Sequence, residues 1–265
     1  MRGRLPRGAR ALLAIAAASA RQSLGMRAEI LGRVAFYAAI LLIYSRLWRA
    51  VPMPAGSGDP AAMLWYLAVT EWVLISLPSV HLEIERDVRT GDVAYLLPRP
   101  VSYLGAKLAE GAGQAAVRLG TLGLVGFPLA FALAGGLPAD PRGLPLALAL
   151  GLLASAFGLL AHAAIGTTAV WIQDVSPVYW IWQKSAFVLG GLILPLSLYP
   201  AWIRGFAAWT PFSALLYGPG SLAFGLDLAG AARSAALLVG WGLVAAAALS
   251  ALWRRGLRVL DVNGG

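Results

Sequence analysis

The chain has 265 residues, of which 59% are hydrophobic and 12% are charged. Soluble domains carry about 25% charged residues and disordered chains are polar, so this composition excludes both classes and places the chain in a lipid bilayer. The net charge of +9 would suggest nucleic-acid binding in a soluble protein. Because basic residues also collect at the cytoplasmic ends of membrane spans, we expect no nucleic-acid partner.

The N-terminal segment, residues 1–26, has four arginines in its first ten residues and an apolar stretch over residues 11–20. This stretch is too short to cross a bilayer, which takes about 20 residues, so we predict an amphipathic helix at the membrane interface. A basic start and a short apolar stretch ending in Ala-Ser-Ala at Ala20 are also typical of a signal peptide. That alternative stays open.

Six segments are apolar enough and long enough to be membrane-spanning helices. They are residues 30–48, 61–82, 114–134, 144–172, 178–199 and 231–253. Residues 205–226 are also uncharged, but Pro211, Gly218 and Pro219 interrupt them. Because a broken backbone exposed to lipid is costly, we predict short external re-entrant helices over residues 200–222 instead of a seventh span.

Positive charge gives the orientation of the six predicted spans. With this layout, 15 lysines and arginines fall on the side of the two termini and five on the opposite side, apart from one inside a span. Because cytoplasmic loops carry the excess of basic residues, we predict that both termini are cytoplasmic. The chain is then a multi-pass protein of a bacterial-type inner (plasma) membrane.

Three ionisable residues of the predicted spans are candidate intramembrane polar groups, namely Arg33, Glu71 and His162. A charged side chain at the middle of a bilayer costs roughly 2.5–3.5 kcal/mol, so Glu71 must face protein or a water-filled cavity. Two interpretations remain open: a structural partner of Arg33 or His162, and a cavity-lining or proton-relay group. His162 also lies on a face of small residues within 154–166, which is typical of close helix packing.

Residues 83–100 form the most charged internal stretch, and we expect them to lie in water between spans two and three. Charged residues up to Arg89 predict a helical extension of span two, which Gly91 can end in the left-handed conformation. Asp92 is predicted to cap a second helix, which the prolines that follow would end. The apolar residues of that helix are Val93, Tyr95, Leu96 and Leu97. It either lies on the lipid headgroups or inserts into a groove on a soluble partner.

The sequence lacks the motifs of common catalytic sites. No segment fits the phosphate-binding loop GxxxxGK[S/T], the zinc signature HExxH or the nucleophile motif GxSxG. The chain therefore has no recognisable site for ATP, zinc or covalent catalysis. We predict no metal, no cofactor and no catalytic residue in this chain.

Residues 85–104, ERDVRTGDVAYLLPRPVSYL, resemble the I-x-x-G-x-L-D-x-x-L-x-R-P-x-S stretch of ABC-2-type permeases. These are the membrane subunits of a class of ATP-binding-cassette (ABC) transporters. Residues 194–220 are similar to the family's P-x-x-x-x-P…PF-x-x-x-x-x-P segment, and the ending WRRGLRVLDVNGG is similar to its basic, Gly-Gly-terminated tail. One departure is that the family's Leu-Asp is Val93-Ala94 here, with Asp92 earlier.

The resemblance implies one ABC-2-type transmembrane domain over residues 1–265 with an all-α fold of six spans. It also implies that residues 83–100 are a cytoplasmic coupling helix seated in the cleft of an ATPase subunit. The residues expected at that contact are Arg86, Asp87, Arg89, Gly91, Asp92, Tyr95, Leu96, Leu97, Arg99 and Pro100. The residues expected at an external gate are Pro200, Pro211, Phe212 and Pro219.

The partners that the resemblance implies are cytoplasmic ABC ATPase subunits, which bind ATP and magnesium, and a second permease subunit, identical or different. The expected function is export of a hydrophobic or amphipathic substrate. Two hypotheses from other classes remain. One is a membrane-embedded lipid-processing enzyme that uses Glu71, His162 and Asp174, and the other is a structural subunit of a membrane complex.

Overall fold

The computed structural model of the protein describes residues 7–50, 60–98 and 100–263, and over these residues helices are joined by turns. The α-helices are α1 Arg7–Gly25, α2 Arg27–Ala50, α3 Pro60–Ser76, α4 Val80–Arg89, α5 Asp92–Leu96, α6 Tyr103–Ala134, α7 Leu144–Thr167, α8 Ala169–Ile172, α9 Ser176–Leu189, α10 Ala201–Ala207, α11 Gly218–Ser221 and α12 Leu228–Asn263. Shorter turns are a π-helical one over Ser213–Tyr217 and 3₁₀ turns over Pro141–Gly143, Leu196–Leu198 and Leu222–Phe224. Arg99 of the predicted contact and residues 1–6 of the predicted interfacial helix lie outside the described residues.

Five helical stretches within the described residues are long and apolar enough to cross a membrane. They are Arg27–Ala50, Pro60–Arg89, Tyr103–Ala134, Pro141–Ile172 and Leu228–Val259. The shortest has 24 residues, which at about 1.5 Å per residue exceeds the roughly 30 Å of the hydrocarbon core. These stretches correspond to five of the six predicted spans, so the protein is a multi-pass helical membrane protein.

The predicted span over residues 178–199 is not one continuous helix, and the count of six spans is not confirmed. α9 ends at Leu189 after 14 residues, which is too short to cross a bilayer that takes about 20. The chain then turns at Gly191, whose φ is +65°. Glycine adopts this left-handed conformation without strain, so the glycines that follow α9 end the helix where hydropathy alone predicts that it continues.

The second span is broken between α3 and α4. α3 ends at Ser76 and α4 begins at Val80, because Pro78 lacks an N–H group and its ring clashes with the preceding turn. Three backbone carbonyl oxygens at this break are bonded by side chains of other helices. They are those of Ile75, 3.2 Å from Arg33 Nη1 of α2, of Leu77, 2.9 Å from Arg118 Nη1 of α6, and of Pro78, 3.0 Å from His162 Nδ1 of α7. The break therefore ties α2, α6 and α7 to one point.

The middle of α3 is the centre of the core. Every residue from Met63 to Val73 is buried. Hydrogen bonds from aromatic side chains connect α3 to the neighbouring helices. The hydroxyl of Tyr37 in α2 donates to the carbonyl oxygen of Ala68 at 2.6 Å, and Trp72 Nε1 donates to the carbonyl oxygen of Leu119 in α6 at 2.8 Å. This middle part of α3 is thus enclosed by protein on all sides.

The N-terminal helix α1 packs on the first half of α6. Gly113 approaches the backbone of Ala16 so closely that an added Cβ would overlap it. Ser19 Oγ donates to the carbonyl oxygen of Glu110 at 2.8 Å. The segment predicted as an interfacial helix is therefore bound along α6, and glycine at position 113 allows the two backbones to approach.

Arg118→Met tests the polar contacts at the break. The substitution removes the donor to the Leu77 carbonyl and the partner of Glu29, whose Oε1 lies 2.9 Å from Arg118 Nη2. Because a buried acceptor without a donor costs about 1–3 kcal/mol, we expect the free energy of unfolding in detergent to fall by at least that amount. Arg46→Met, at an exposed arginine, is the control and should change it by less than about 0.5 kcal/mol. Equal stability of the two variants would contradict the prediction.

Candidate functional site

The turn between α4 and α5 agrees with the sequence prediction at Gly91 and differs from it at Asp92. Gly91 has a φ of +76° and ends the first helix in the left-handed conformation. The predicted cap is wrong, since Gly91 itself is the N-cap and Asp92 is the first helical residue. Asp92 Oδ2 instead accepts a hydrogen bond from Thr90 Oγ1 at 2.8 Å, which closes the turn.

α5 has a buried face and an exposed face. Val93 is 2% exposed and packs in a cluster with Ile84 of α4, and Leu96 packs against the same cluster. Tyr95 is 80% exposed and Leu97 is 38% exposed. The sequence treats all four apolar residues alike, but the structure divides them into two anchors and two side chains that face away from the protein.

The residues predicted at the partner contact divide in the same way. Those with exposed side chains, or an exposed backbone for glycine, are Arg86, Arg89, Gly91, Asp92, Tyr95, Leu97 and Pro100. Asp87 is 4% exposed and Leu96 is half-buried. Asp87 therefore contacts other residues of this chain, and its carboxylate is unavailable to a soluble partner.

Asp87 joins α4 to α6 through a buried group of polar side chains. Its Oδ2 lies 2.9 Å from Lys107 Nζ and accepts a hydrogen bond from the Tyr103 hydroxyl at 3.0 Å. Lys107 Nζ also lies 3.4 Å from Glu110 Oε2 and 4.0 Å from Glu83 Oε2. Because a buried charge is costly unless it is paired, these contacts fix the position of α4 against α6.

Sequence reasoning missed Tyr103 and Lys107 as part of this site. A weak signal exists, since the two residues are four positions apart and share a face of one helix. Their partner Asp87 belongs to another helix, so only the tertiary fold brings them together. The ring of Tyr103 also stacks on Trp253 of α12, with ring centroids 4.9 Å apart, which adds a third helix to the group.

Glu85 joins α4 to the turn before α9. This buried carboxylate lies 3.2 Å from Arg89 Nη1 through Oε1, and its Oε2 accepts a hydrogen bond from the backbone N–H of Val175 at 3.4 Å. In the same turn, hydrogen bonds from Ser176, together with the charge of Arg89, hold the pKa of Asp174 below its ordinary value. The two buried carboxylates of α4, Asp87 and Glu85, therefore connect it to α6 and to the turn before α9.

The structure does not pair Glu71 with either partner considered for it. Glu71 is 6% exposed and lies in α3. Arg33 pairs with Glu29 Oε1 at 3.0 Å, and both Arg33 and His162 bond carbonyl oxygens at the break. Within the described part of the chain neither bonds Glu71. A role for Glu71 in a cavity or a proton relay stays a prediction.

The two histidines contact each other next to the break, on its α4 side. The sequence did not predict this contact. The rings of His81 and His162 have centroids 5.1 Å apart, and His81 stacks on Tyr179 of α9 at 3.9 Å. Among residues 7–50, 60–98 and 100–263, no group of three or more His, Asp or Glu could hold a metal. The aromatic contacts join α9 to the junction of α3 and α4.

The residues predicted at an external gate lie at successive turns of the segment between α9 and α12. Pro200 is the N-cap of α10, and Pro211 precedes Phe212 just before the π-helical turn. The ring of Phe212 contacts Trp182 of α9 edge-on, with centroids 4.9 Å apart. Pro219 is buried in α11. π-helical turns are frequent at functional sites, and the gating role of these residues stays a prediction.

These features define the class first: a multi-pass helical membrane protein that carries a short, partly exposed helix on a charged one. A comparison with models of protein families then finds that residues 33–264 match the family described as ABC-2 family transporter protein. The chain therefore belongs to the ABC-2 transporter family, whose membrane components are typically non-catalytic permeases. The resemblance noted in the sequence is confirmed. A search of curated proteins finds no match.

Lys107→Met tests whether the Asp87 group holds α4 and α5 in place. Without the ammonium, the buried carboxylate loses its nearest counter-ion and keeps only the exposed Arg86 at 3.8 Å, and a hydrogen bond to a charged group contributes about 1.5–3 kcal/mol. We expect amide hydrogen exchange of residues 83–98 to become at least about tenfold faster, since this energy limits local opening. The control is Arg46→Met, at an exposed arginine outside this group. Unchanged exchange in Lys107→Met would contradict the structural role.

Proposed function

We propose that this protein is the membrane-spanning permease subunit of an ABC exporter and is driven by separate ATPase subunits. The observation that carries the proposal is the α4–α5 unit in a chain of this family. α5 exposes Tyr95 and Leu97 while Val93 anchors it from below. ATP and magnesium then belong to the partner, and this chain supplies the surface that the partner moves.

The exposed face of α5 suits a groove on a soluble protein. Helices bind grooves through a few apolar anchors, and tyrosine is enriched among the residues that dominate binding energy. Tyr95 and Leu97 are such anchors, and the exposed arginines Arg86 and Arg89 flank them. We propose that this face is seated in the cleft of a cytoplasmic ABC ATPase. Both chain termini then lie on the cytoplasmic side of a bacterial-type inner membrane.

Movement of α5 reaches the membrane through the polar contacts of α4. Asp87 binds Lys107 and Tyr103 of α6, and Glu85 binds the backbone before α9. When ATP binding closes the ATPase subunits, displacement of α5 therefore moves α6 and α9 together. The break at Pro78 lets α4 tilt against α3, because no continuous backbone hydrogen-bond ladder crosses it.

The remaining parts of the proposal concern the assembly and the cargo. We propose a dimer of permease subunits, identical or different, that carries a hydrophobic or amphipathic substrate outward. In this arrangement the segment of Pro200, Pro211, Phe212 and Pro219 is the external gate. Glu71 then acts either as a buried structural group or as a contact in the transport pathway.

Paired substitutions on α5 test the coupling surface. We expect Tyr95→Asp combined with Leu97→Asp to reduce recovery of the ABC ATPase with the tagged full-length chain by about 30-fold or more, since loss of dominant contacts costs at least about 2 kcal/mol. The ATPase is identified by its phosphate-binding-loop peptide and its ATP hydrolysis. Leu137→Asp, at a leucine that is 54% exposed in the turn after α6, should leave recovery unchanged. Full recovery with the double variant would falsify the coupling assignment.

An assay of ATP hydrolysis distinguishes the permease hypothesis from the lipid-processing enzyme hypothesis. The purified chain alone should hydrolyse no ATP, and hydrolysis should appear only after the ATPase subunit is added, because this sequence has no phosphate-binding loop. A coupled assay of phosphate release in proteoliposomes measures both. Turnover of lipid by the chain alone, without ATP, would instead support the enzyme hypothesis.

A further inference from the structure

A cavity of about 870 Å³ opens at the end of the molecule where α12 begins. It lies between α10, the π-helical turn and the first residues of α12. α5 lies at the opposite end of the molecule. Val93 of α5 packs in one cluster with Tyr103, and the ring of Tyr103 contacts α12 at Trp253. Trp253 is 25 residues after Leu228, which is roughly 37 Å along the helix at 1.5 Å per residue. The volume of the cavity is within the range of about 300–1,000 Å³ that is typical of ligand pockets.

Two arginines line this cavity without a carboxylate partner. Arg204 Nη1 donates to the backbone carbonyl oxygen of Ser197 at 3.3 Å. Arg233 lies over the ring of Trp209, with its guanidinium carbon 5.2 Å from the ring centroid. In the described part of the chain neither arginine forms an ion pair. Each guanidinium has five N–H donors, so both keep donors that can bind an anion.

The two acidic residues of the cavity form hydrogen bonds or an ion pair with groups other than these two arginines. Asp140 lies 2.8 Å from Arg142 Nε and accepts from the backbone N–H of Leu226 at 3.2 Å. These contacts hold the pKa of Asp140 well below its ordinary value. Asp227 accepts from the backbone N–H of Gly230 in the first turn of α12 at 2.9 Å. Because Arg142 offsets the charge of Asp140, the positive charges of Arg204 and Arg233 outnumber the negative charge of Asp227.

Apolar and polar side chains share the rest of the cavity lining. Leu196 and Leu237 line it together with Tyr217 and four serines. The helix α10, which carries Arg204, also exposes Trp202 and Phe206, at 78% and 65%. Aromatic residues of this kind are enriched where a membrane meets water. Arg204 lies on the same short helix as these rings, so we expect its guanidinium to lie near the depth of lipid headgroups.

We propose that this cavity binds an amphiphile with an anionic phosphate headgroup, such as a phospholipid. The phosphate lies between Arg204 and Arg233, and the apolar part lies against Leu196 and Leu237. The planar guanidinium fork matches phosphate oxygens in pairs. The site needs no ATPase and no second subunit, so it stands apart from the coupling surface on α5 and can be tested alone.

Native mass spectrometry of the full chain in detergent, titrated with phosphatidylglycerol and phosphatidylcholine of equal acyl chains, tests the site. We expect phosphatidylglycerol to bind about tenfold more tightly, because it carries a net negative charge, whereas the choline cation of phosphatidylcholine offsets its phosphate and is repelled by the two arginines. Arg204→Gln combined with Arg233→Gln should remove this preference, and each single variant should reduce it. Arg46→Gln, an exposed arginine outside the cavity, is the control and should retain it. Thermal unfolding of all variants verifies that they fold.

A competition arm with inorganic phosphate distinguishes a lipid from a soluble phosphate. Displacement of phosphatidylglycerol by phosphate, lost in the double glutamine variant, would support the arginine site and assign it to a soluble phosphate. No displacement, with the preference retained in the wild type, assigns it to a lipid headgroup. Equal binding of the two lipids to the wild type, or an unchanged preference in the folded double variant, would overturn the proposal. Neither result bears on ATPase recovery through α5.

Discussion

The arrangement of the helix bundle depends on the break in the second span, because the carbonyl oxygens at this break need hydrogen-bond donors. Lipid offers no hydrogen bonds, so backbone carbonyls freed by a proline must find donors inside the protein. Arg33, Arg118 and His162 supply those donors from α2, α6 and α7. One interruption thereby organises three helices around α3, and it accounts for three ionisable residues that would otherwise be costly inside a membrane.

The same break divides the molecule into parts with different surroundings. The middle of α3, from Met63 to Val73, lies inside protein, whereas α4 is amphipathic and directs Asp87 and Glu85 toward its neighbours. Charged groups serve structure on one side of α4 and remain exposed on the other, as Arg86 does. The few charges in this chain therefore concentrate where helices need a directional contact that apolar packing cannot provide.

Sequence alone predicted the features that depend on local chemistry. Long apolar stretches predicted five of the spans, the ordered motifs predicted the family, and Gly91 predicted a left-handed turn. It did not predict the early end of α9 at Leu189, because hydropathy does not register a turn made by glycines. It also missed Lys107 as the partner of Asp87, since that pairing exists only after α4 and α6 meet.

The contact of α1 with α6 has a consequence for synthesis. Ser19 and Glu110 meet across 91 positions of sequence, and Gly113 admits the backbone of Ala16. A ribosome adds about 5–20 residues per second, so α1 leaves the exit tunnel several seconds before its docking surface exists. During that interval its apolar face needs another cover, and the membrane surface that receives the nascent chain supplies one. α1 therefore reaches its final place only after the first half of α6 has been made.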